Sequence, residues 1–489
     1  MNHVKIDLDR RISTIDHNIF GGFIEHLGRC IYGGIYCPGS HLADEDGFRI
    51  DVIDALCRLQ IPIVRYPGGN FVSGYRWMDG IGPREERPAR IDMAWDAIDS
   101  NHFGTNEFID FCRRVGTEPY LVVNCGDGDM REARDWVEYC NGTQASALVK
   151  LRHKHGFEAP HGVKYWGIGN EVDSRWQVGS KTPEEYARAY LEFAKVMKWV
   201  DPSIKLIASA TSTWKGNIVE RAQLLIEQAS DFIDYLALHW YIGNPENDFA
   251  NYMAQSELVE ERLSAYEGLV RALSLQQKLP RPIPLAVDEW NVWYRTHPDY
   301  TSSLNGLEEI YSLEDALMVA VQLNAFIRHS KSVRMANLAQ LVNVIAPIFV
   351  SDTGIVLQTI FYPFELYRRT CGTVALDVFW KGDTFSTREY TGLRTLDVSA
   401  TLDESRKLLT VFVVNRSQTD ALETTVWLDS GYFVGEAQAH VVNGPDIKAT
   451  NSFEQPHQVG VKRTILTAER SQLTYTFEPH SVTALVCQL

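Results

Sequence analysis

Up to about residue 373, apolar residues come in short continuous runs that alternate with stretches of helical periodicity. Continuous apolar runs are typical of parallel strands covered on both faces, whereas half-exposed strands alternate apolar and polar residues. Eight such runs occur, at residues 18–26, 61–69, 119–126, 163–171, 205–210, 234–241, 283–291 and 336–344. Eight alternations of strand and helix predict an α/β fold, a closed (β/α)8 TIM barrel over residues 14–373.

The segments between these runs carry helix-start signals. Thr182 and Pro183 suit the N-cap and the first helical position, and Thr105, Asn106 and Glu107 open a second helix. Residues 48–59 repeat apolar positions at intervals of three and four, as one face of a helix does. These signals support helices between the strands.

Beyond residue 373 the pattern changes to alternating apolar and polar positions with turns between them. This alternation predicts an antiparallel β-sandwich, jelly-roll-like, over residues 374–489. Residues 4–14 alternate in the same way before the first barrel run. We therefore expect residues 1–13 to join the sandwich as an added strand.

The formal net charge of −16 argues against nucleic acid and anionic membranes as partners, because both require basic patches. It suits a neutral substrate such as a sugar. No apolar run reaches the roughly 18 residues of a membrane span, and the N-terminus has no apolar segment of signal-peptide length. We expect a cytoplasmic protein, whose eight cysteines, none in a CxxC pair, are reduced thiols.

Seven of the eight runs end in polar or aromatic residues. In a barrel these ends meet at one rim, where catalysis takes place. The residues are Glu25, His26, Arg65, Asn70, Asn124, Asn170, Glu171, His239, Trp240, Tyr241, Asp288, Glu289, Asn291, Gln340 and Asn343.

Two of these residues, Glu171 and Glu289, define the predicted chemistry. They lie 118 residues apart, about three βα units of roughly 30–45 residues, so they would end strands four and seven. Two carboxylates on one rim are the minimum equipment for cleaving a glycosidic bond. Asp288 is an alternative nucleophile, but adjacent strand residues point to opposite sides, which favours Glu289.

The remaining rim residues suggest binding rather than metal chemistry. His239 is expected to form hydrogen bonds, and the indoles of Trp176, Trp240, Trp290 and Trp293 suit an apolar floor for sugar rings. The segment from Asp127 to Asp129 has two acids but lacks further ligands at calcium-loop spacing. We therefore predict no metal and no cofactor.

At these residues the chain resembles the α-L-arabinofuranosidases of glycoside hydrolase family 51. The resemblance runs nearly from end to end. Its most specific strings are VRYPGGNFVSGYRWMDGIGP at 64–83, GIGNEVDSRWQVG at 167–179, ALHWY at 237–241, VDEWNVWY at 287–294 and ANLAQLVNVIAPI at 336–348.

The resemblance implies a role for each matching residue. Glu171 would be the general acid/base and Glu289 the nucleophile, with Arg65 and Tyr241 beside Glu289. Asn170 would bind the 2-hydroxyl of the furanose. The other hydroxyls would be held by Glu25, Asn70 and Gln340, and the pocket wall would be shaped by Phe103, Trp176 and Trp293. The family needs no metal and is typically intracellular and oligomeric, often hexameric, so a homo-oligomer is implied.

Two segments depart from the family pattern, Asp127–Asp129 and Ser174–Arg175, and both bear on leaving-group specificity. The interpretation is a retaining, exo-acting α-L-arabinofuranosidase acting on arabino- and arabinoxylo-oligosaccharides. The nearest alternative is another retaining glycosidase of the same clan, a β-xylosidase or an endoglucanase. A metal-dependent barrel isomerase using His26 and His239 is more distant, as is a sugar-binding protein without catalysis.

Overall fold

The computed structural model describes residues 2–298 and 306–489. Its first eleven strands are β1 (Asn2–Thr14), β2 (Gly21–Phe23), β3 (Ile63–Tyr66), β4 (Arg90–Asp92), β5 (Ala97–Asp99), β6 (Glu118–Val123), β7 (Tyr165–Ile168), β8 (Lys205–Thr211), β9 (Tyr235–Ile242), β10 (Leu285–Val292) and β11 (Val333–Ala339). Eight of these form a closed parallel barrel in the order β2, β3, β6, β7, β8, β9, β10 and β11. The predicted TIM barrel is confirmed.

The helices are α1 (Ile50–Leu59), α2 (Thr105–Val115), α3 (Met130–Asn141), α4 (Ala147–Lys154), α5 (Pro183–Val200), α6 (Ile218–Ala229), α7 (Phe249–Ala254), α8 (Ser256–Gln276), α9 (Leu313–Arg328) and α10 (Phe361–Thr370). Thr182 caps α5 in a capping box with Glu185, and Pro183 is its first residue. Glu107 accepts a hydrogen bond from the Gly104 N–H at the start of α2. The three helices that the sequence signals indicate are all present.

Each predicted apolar run contains or overlaps one barrel strand, and the largest difference is in the eighth. The expected strand at 336–344 is β11, which begins at Val333 and ends at Ala339. Residues beyond Ala339 leave the barrel as a loop, and Asn343 and Ile345 adopt left-handed backbone conformations there. Gln340 therefore stands on the loop that follows the strand.

The remaining strands are β12 (Ile348–Ser351), β13 (Gly354–Leu357), β14 (Val374–Lys381), β15 (Thr384–Phe385), β16 (Leu393–Arg394), β17 (Leu396–Asp403), β18 (Leu408–Asn415), β19 (Leu422–Leu428), β20 (Glu436–Asn443), β21 (Gly460–Thr467), β22 (Gln472–Phe477) and β23 (Ser481–Gln488). Nine strands form one ladder, in the order β21-β20-β23-β18-β17-β14-β1-β19-β22. Apolar side chains from strands near both edges of this nine-stranded sheet pack in one core, so the sheet folds over itself as a sandwich. The N-terminal strand β1 is antiparallel to β14 and parallel to β19.

The barrel and the sandwich share a buried interface. The rings of Tyr367 on α10 and Phe412 on β18 stack with centroids 4.0 Å apart. Arg328 of α9 forms an ion pair with Asp397 of β17. Phe412 belongs to the same apolar cluster as the barrel core, so the sandwich completes that core on one side.

Two further sequence predictions concern the whole chain. All eight cysteines are free thiols, as the absence of paired spacing predicts. Within the described ranges, no helix combines the length and apolar character needed to cross a lipid bilayer.

Candidate active site

The carboxyl ends of the barrel strands surround a cavity of about 470 Å³. Strand ends and the loops after them supply its walls. Eight of the eleven predicted site residues line it: Glu25, Asn70, Glu171, Trp176, Tyr241, Glu289, Trp293 and Gln340.

Glu289 lies within β10 and receives hydrogen bonds from two other strands. Arg65 Nη1 on β3 donates to Oε2 at 2.9 Å, and the hydroxyl of Tyr241 on β9 donates to Oε1 at 2.9 Å. Arg65 Nη2 donates to Asn170 Oδ1 at 2.6 Å. A guanidinium and a phenol directed at one carboxyl group stabilise its ionised form.

Glu171 stands three residues after β7, in a left-handed backbone conformation with φ of 42°. The indole N–H of Trp176 donates to its Oε2 at 2.8 Å, and His239 Nδ1 lies 3.1 Å from its Oε1. One carboxyl oxygen from Glu171, one from Glu289 and a ring nitrogen of His239 all lie within 4.8 Å of one another. The two glutamates therefore face each other across a single small space.

Asp288 also points into the barrel, which corrects the alternation argument. In the pairing of β10 with β9, Ala286 and Glu289 are opposite Ala237 and His239, so β10 contains one extra residue. Such a bulge redirects side chains. As a result Asp288 lies 3.1 Å from His239 Nε2 and accepts a hydrogen bond from Tyr120 at 2.7 Å.

His239 is the central cation of the site. Burial acts to lower its pKa, but the charges of Glu289 and Asp288, with hydrogen bonds to Asp288 and Glu171, outweigh burial and raise the pKa to about 10. The same contacts act on the acids. Burial opposes ionisation of Asp288, yet Arg65 and His239 lower its pKa.

The pKa of Glu289 is raised by burial and by the charge of Glu171, and His239, Arg65 and Tyr241 oppose the rise. Two carboxylates this close do not both ionise freely, so the pair tends to hold one proton. Among the described residues, Glu289 has a guanidinium contact and Glu171 has none. The guanidinium of Arg65 therefore stabilises the ionised form of Glu289.

The carboxyl group of Glu25 lies on the cavity wall opposite Glu171, which we call the far wall. Its Oε1 accepts hydrogen bonds from the Phe71 N–H at 3.1 Å and the Trp95 indole at 3.0 Å, and its Oε2 accepts one from Gln340 at 3.0 Å. Burial, with a smaller contribution from the charge of Glu289, raises the pKa of Glu25 to about 7.

Comparison with known proteins identifies the family. The α-L-arabinofuranosidase 1 domain matches residues 55–258, and the α-L-arabinofuranosidase C-terminal domain matches residues 288–481. The intracellular exo-α-(1→5)-L-arabinofuranosidase of Halalkalibacterium halodurans is 41% identical over 490 residues, which cover 96% of this chain and 97% of that protein. This chain belongs to glycoside hydrolase family 51, the α-L-arabinofuranosidases.

Solved structures of this family agree over the whole length of the enzyme. The α-L-arabinofuranosidase of Thermotoga maritima, in an arabinose complex, superposes with a TM-score of 0.92 at 37% identity and covers all of both chains. The thermostable family 51 enzyme of Thermotoga petrophila superposes with a TM-score of 0.91 at 38% identity, over 99% of this chain and 100% of that one. The glycoside hydrolase expected from the sequence is therefore confirmed.

Three predicted site residues of this family 51 enzyme do not line the cavity. Arg65 and Asn170 are buried directly behind Glu289, where they bond to each other. Phe103 was expected to shape the pocket wall, but its side chain is fully buried. Its ring centroid lies 6.2 Å from that of His26 and 5.9 Å from that of Tyr66. Phe103 shapes the core under the site and does not form the pocket wall.

Several residues that line the cavity were not predicted from the sequence: Trp95, Trp214, Arg262 and His297. None of them ends an apolar run. Trp95 comes from the turn between β4 and β5, and Arg262 comes from α8. The indole of Trp95 in this hairpin was the only sequence feature that could have indicated a cavity residue, and it is a weak indication.

The two departures from the family pattern both have local structural roles. Asp129 caps α3 by accepting a hydrogen bond from the Glu132 N–H, and Asp127 accepts one from Asn124. Ser174 is fully buried, and its Oγ lies 2.7 Å from Oγ of Ser212. The Ser174 contact thus ties the loop that carries Glu171 to the loop after β8.

Glu171, His239 and Glu289 also have the spacing of a metal site. A metal ligand must offer a free nitrogen lone pair, and a protonated imidazole has none. With a pKa of about 10, His239 is protonated at neutral pH. The absence of a metal requirement stays a prediction, and chelation should leave the rate unchanged.

Proposed function

We propose that this enzyme is a retaining, exo-acting α-L-arabinofuranosidase that releases terminal arabinofuranose from arabino- and arabinoxylo-oligosaccharides by double displacement. One observation carries the proposal: carboxyl oxygens of Glu171 and Glu289 lie within 4.8 Å of each other. Retaining glycosidases hold their carboxyl groups about 5–5.5 Å apart, whereas inverting ones need about 6.5–9.5 Å for an intervening water.

In the first step the Glu289 carboxylate attacks the anomeric carbon while Glu171 donates its proton to the departing glycosidic oxygen. The carbon–oxygen bond to the leaving group breaks, and an ester bond to Glu289 forms. Arg65 and Tyr241 hold Glu289 ionised and oriented for this attack. Trp176 and His239 hold the carboxyl group of Glu171 towards the leaving group.

In the second step Glu171, now a carboxylate, removes a proton from water. The resulting oxygen nucleophile attacks the anomeric carbon, and the ester bond to Glu289 breaks. Two inversions at one carbon restore the original α configuration. The imidazolium of His239 lies beside both carboxyl groups and compensates the negative charge that alternates between them.

The glycone pocket is assigned to the far wall. Glu25, Asn70 and Gln340 present carboxyl and amide groups suited to furanose hydroxyls, while Asn170 would reach the 2-hydroxyl beside Arg65. Trp176 and Trp293 supply apolar walls. The relative from H. halodurans is named for exo action on (1→5) linkages, which supports terminal arabinofuranose as the released sugar.

The anomeric configuration of the first product tests this mechanism. With an aryl α-L-arabinofuranoside, proton NMR in the first minutes should show α-arabinofuranose before mutarotation, and an aryl β-D-xyloside should be turned over far more slowly. Initial release of the β anomer would recast Glu289 as a base and remove the double displacement. Preference for the xyloside would favour the β-xylosidase alternative.

A cytoplasmic, homo-oligomeric enzyme, hexameric as the family resemblance implies, completes the proposal. The name of the H. halodurans relative, which is called intracellular, supports the location. Light scattering coupled to size-exclusion chromatography should give a multiple of the 55.5 kDa chain mass. A monomer at micromolar concentration would contradict the oligomer.

A further inference from the structure

The leaving-group side of the cavity is built around the loop that follows β8. Glu171 would protonate the leaving oxygen, so residues beyond it face the leaving group. Ser212 contacts Ser174 on the Glu171 loop, and the Trp214 indole donates to the His239 carbonyl at 2.8 Å. Residues 212–214 therefore lie on the acid/base side, opposite Glu25.

Trp214 is held in an unusual conformation on this loop. Its φ of 52° is in the left-handed region, which is uncommon and strained for a bulky residue. Its ring packs edge-on against Trp240 and Tyr266, with centroids 6.0 and 6.1 Å away. Tertiary contacts thus maintain this indole as part of the cavity wall.

Arg262, from the first half of α8, lies over this indole. Its guanidinium carbon is 5.0 Å from the Trp214 ring centroid, and the side chain lines the cavity. Among the residues that the structure describes, it forms no hydrogen bond or ion pair. Burial lowers the pKa of Arg262 to about 10, and the charge of Tyr390 opposes this.

Other buried arginines have polar partners. Arg152, Arg221 and Arg416 donate to backbone carbonyl groups, and three further arginines contact carboxylates. Arg65 contacts Glu289, Arg295 contacts Asp315 and Arg328 contacts Asp397. A partly desolvated cation without a counter-charge is costly unless a ligand supplies one. The planar guanidinium offers a fork of N–H donors that matches a carboxylate bidentately.

We propose that Arg262 and Trp214 form a leaving-group subsite that favours leaving groups carrying a carboxylate, such as a uronic acid residue. This inference rests on the proposed function, because the subsite is defined by Glu171 acting as the acid. A carboxylate at the cleavage point would be repelled by the ionised Glu289. The carboxylate must therefore lie on the remote edge of the leaving group, paired with Arg262, while the rest of the leaving group packs against Trp214.

The test compares two matched substrates, 3-carboxyphenyl and 3-carbamoylphenyl α-L-arabinofuranoside, which differ in charge but hardly in shape. The measured quantity is the ratio of their kcat/KM values in the wild type divided by the same ratio in Arg262→Met, so intrinsic leaving-group reactivity cancels. A charged hydrogen bond in a half-buried site predicts a quotient of roughly ten or more. Arg262→Lys should keep part of the preference.

Arg271→Met is the matched control, because Arg271 is exposed on the same helix and its removal changes the net charge equally. It should leave the ratio at the wild-type value. A quotient near one for Arg262→Met, or an equal loss in Arg271→Met, overturns the inference.

Titration calorimetry with D-glucuronate and D-glucuronamide reads the subsite without turnover. Glucuronate should bind the wild type more tightly than the amide, and Arg262→Met should lose this difference. Equal binding of both sugars by the wild type also overturns the inference. Absence of turnover on both glycosides, with selective glucuronate binding retained, would instead refute the proposed function alone.

Discussion

At the scale of single residues, the site is a balance between acids and two buried cations. Asp288, Glu289 and Glu171 all contact His239, and the guanidinium of Arg65 contacts Asp288 and Glu289. Each cation serves more than one acid. Removing any member therefore leaves its partners with uncompensated charge, which is costly in a buried site.

Replacing each of the two glutamates by alanine should reduce turnover in a different way. Glu289→Ala removes the attacking oxygen, so turnover should be lost on every substrate. Glu171→Ala removes the proton donor, worth roughly 10²–10⁴-fold, which a nitrophenyl leaving group hardly needs. Steady-state rates should therefore fall much more on oligosaccharides than on the nitrophenyl glycoside, and azide should restore turnover of Glu171→Ala. Leaving-group sensitivity in Glu289→Ala instead would reverse the two roles.

The charge of His239 should appear in the pH dependence of stability. Its pKa is raised from 6.5 to about 10 in the folded protein. The protonated folded state is thus favoured, and this stabilisation is complete below pH 6.5 and is lost as the pH rises to about 10. The difference in thermal midpoint between the wild type and His239→Gln should shrink over that range. The exposed His153→Gln is the control, and a difference that grows with pH would contradict the assigned charge.

At the scale of elements, a bulge and a glycine turn position the carboxyl groups. The bulge lets β10 direct two consecutive acids, Asp288 and Glu289, into the barrel. After β3, Gly68 adopts a φ of 153°, and a Cβ there would lie 2.3 Å from Glu25 Cγ. The turn is therefore what leaves room for Glu25 in the glycone pocket.

Gly68→Ala should displace Glu25 and so weaken sugar binding. We expect kcat/KM to fall at least about ten-fold, equivalent to about 1.4 kcal/mol. Gly116→Ala is the control: its φ is 76°, yet no atom lies within 4 Å of the added Cβ. It should lose about 1–2 kcal/mol of stability with unchanged kcat/KM. Full activity of Gly68→Ala would show that Glu25 can move to another position that still supports sugar binding.

At the scale of the whole molecule, the sandwich covers part of the barrel core. Phe412 stacks on Tyr367, and Asn324 of α9 donates to Asp397 of β17 at 2.6 Å. These contacts lie on the helices outside the barrel, away from the cavity. They hold the two domains together and do not take part in the chemistry.

Phe412→Ala should therefore destabilise the enzyme without changing its catalysis. Loss of a buried phenylalanine costs about 3–5 kcal/mol, which denaturant unfolding can measure. Phe453→Ala, at a side chain that is 45% exposed, should cost far less. Activity of folded Phe412→Ala should match the wild type. If the sandwich alone unfolded early and the barrel kept its stability, the shared core would not couple the domains.

The barrel and the main acids could be predicted because their signals are local. A strand covered on both faces must be apolar throughout, and its last residues reach the rim whatever surrounds them. These two rules predicted the eight strands and placed Glu171 and Glu289 at the rim. They overran the end of β11, because the buried loop after Ala339 is as apolar as a strand.

Only the tertiary structure decided what depends on chain segments far apart in sequence. Alternation along one strand assigned Asp288 to the outer side, and the bulge against β9 reversed that assignment. Phe103 matched a wall residue by motif, but its ring packs into the core beneath the site. Arg262 and Trp214 meet from a helix and a loop whose spacing carries no motif. Periodicity records which way each residue faces within its own element, whereas a pocket is formed by side chains that only the folded chain brings together.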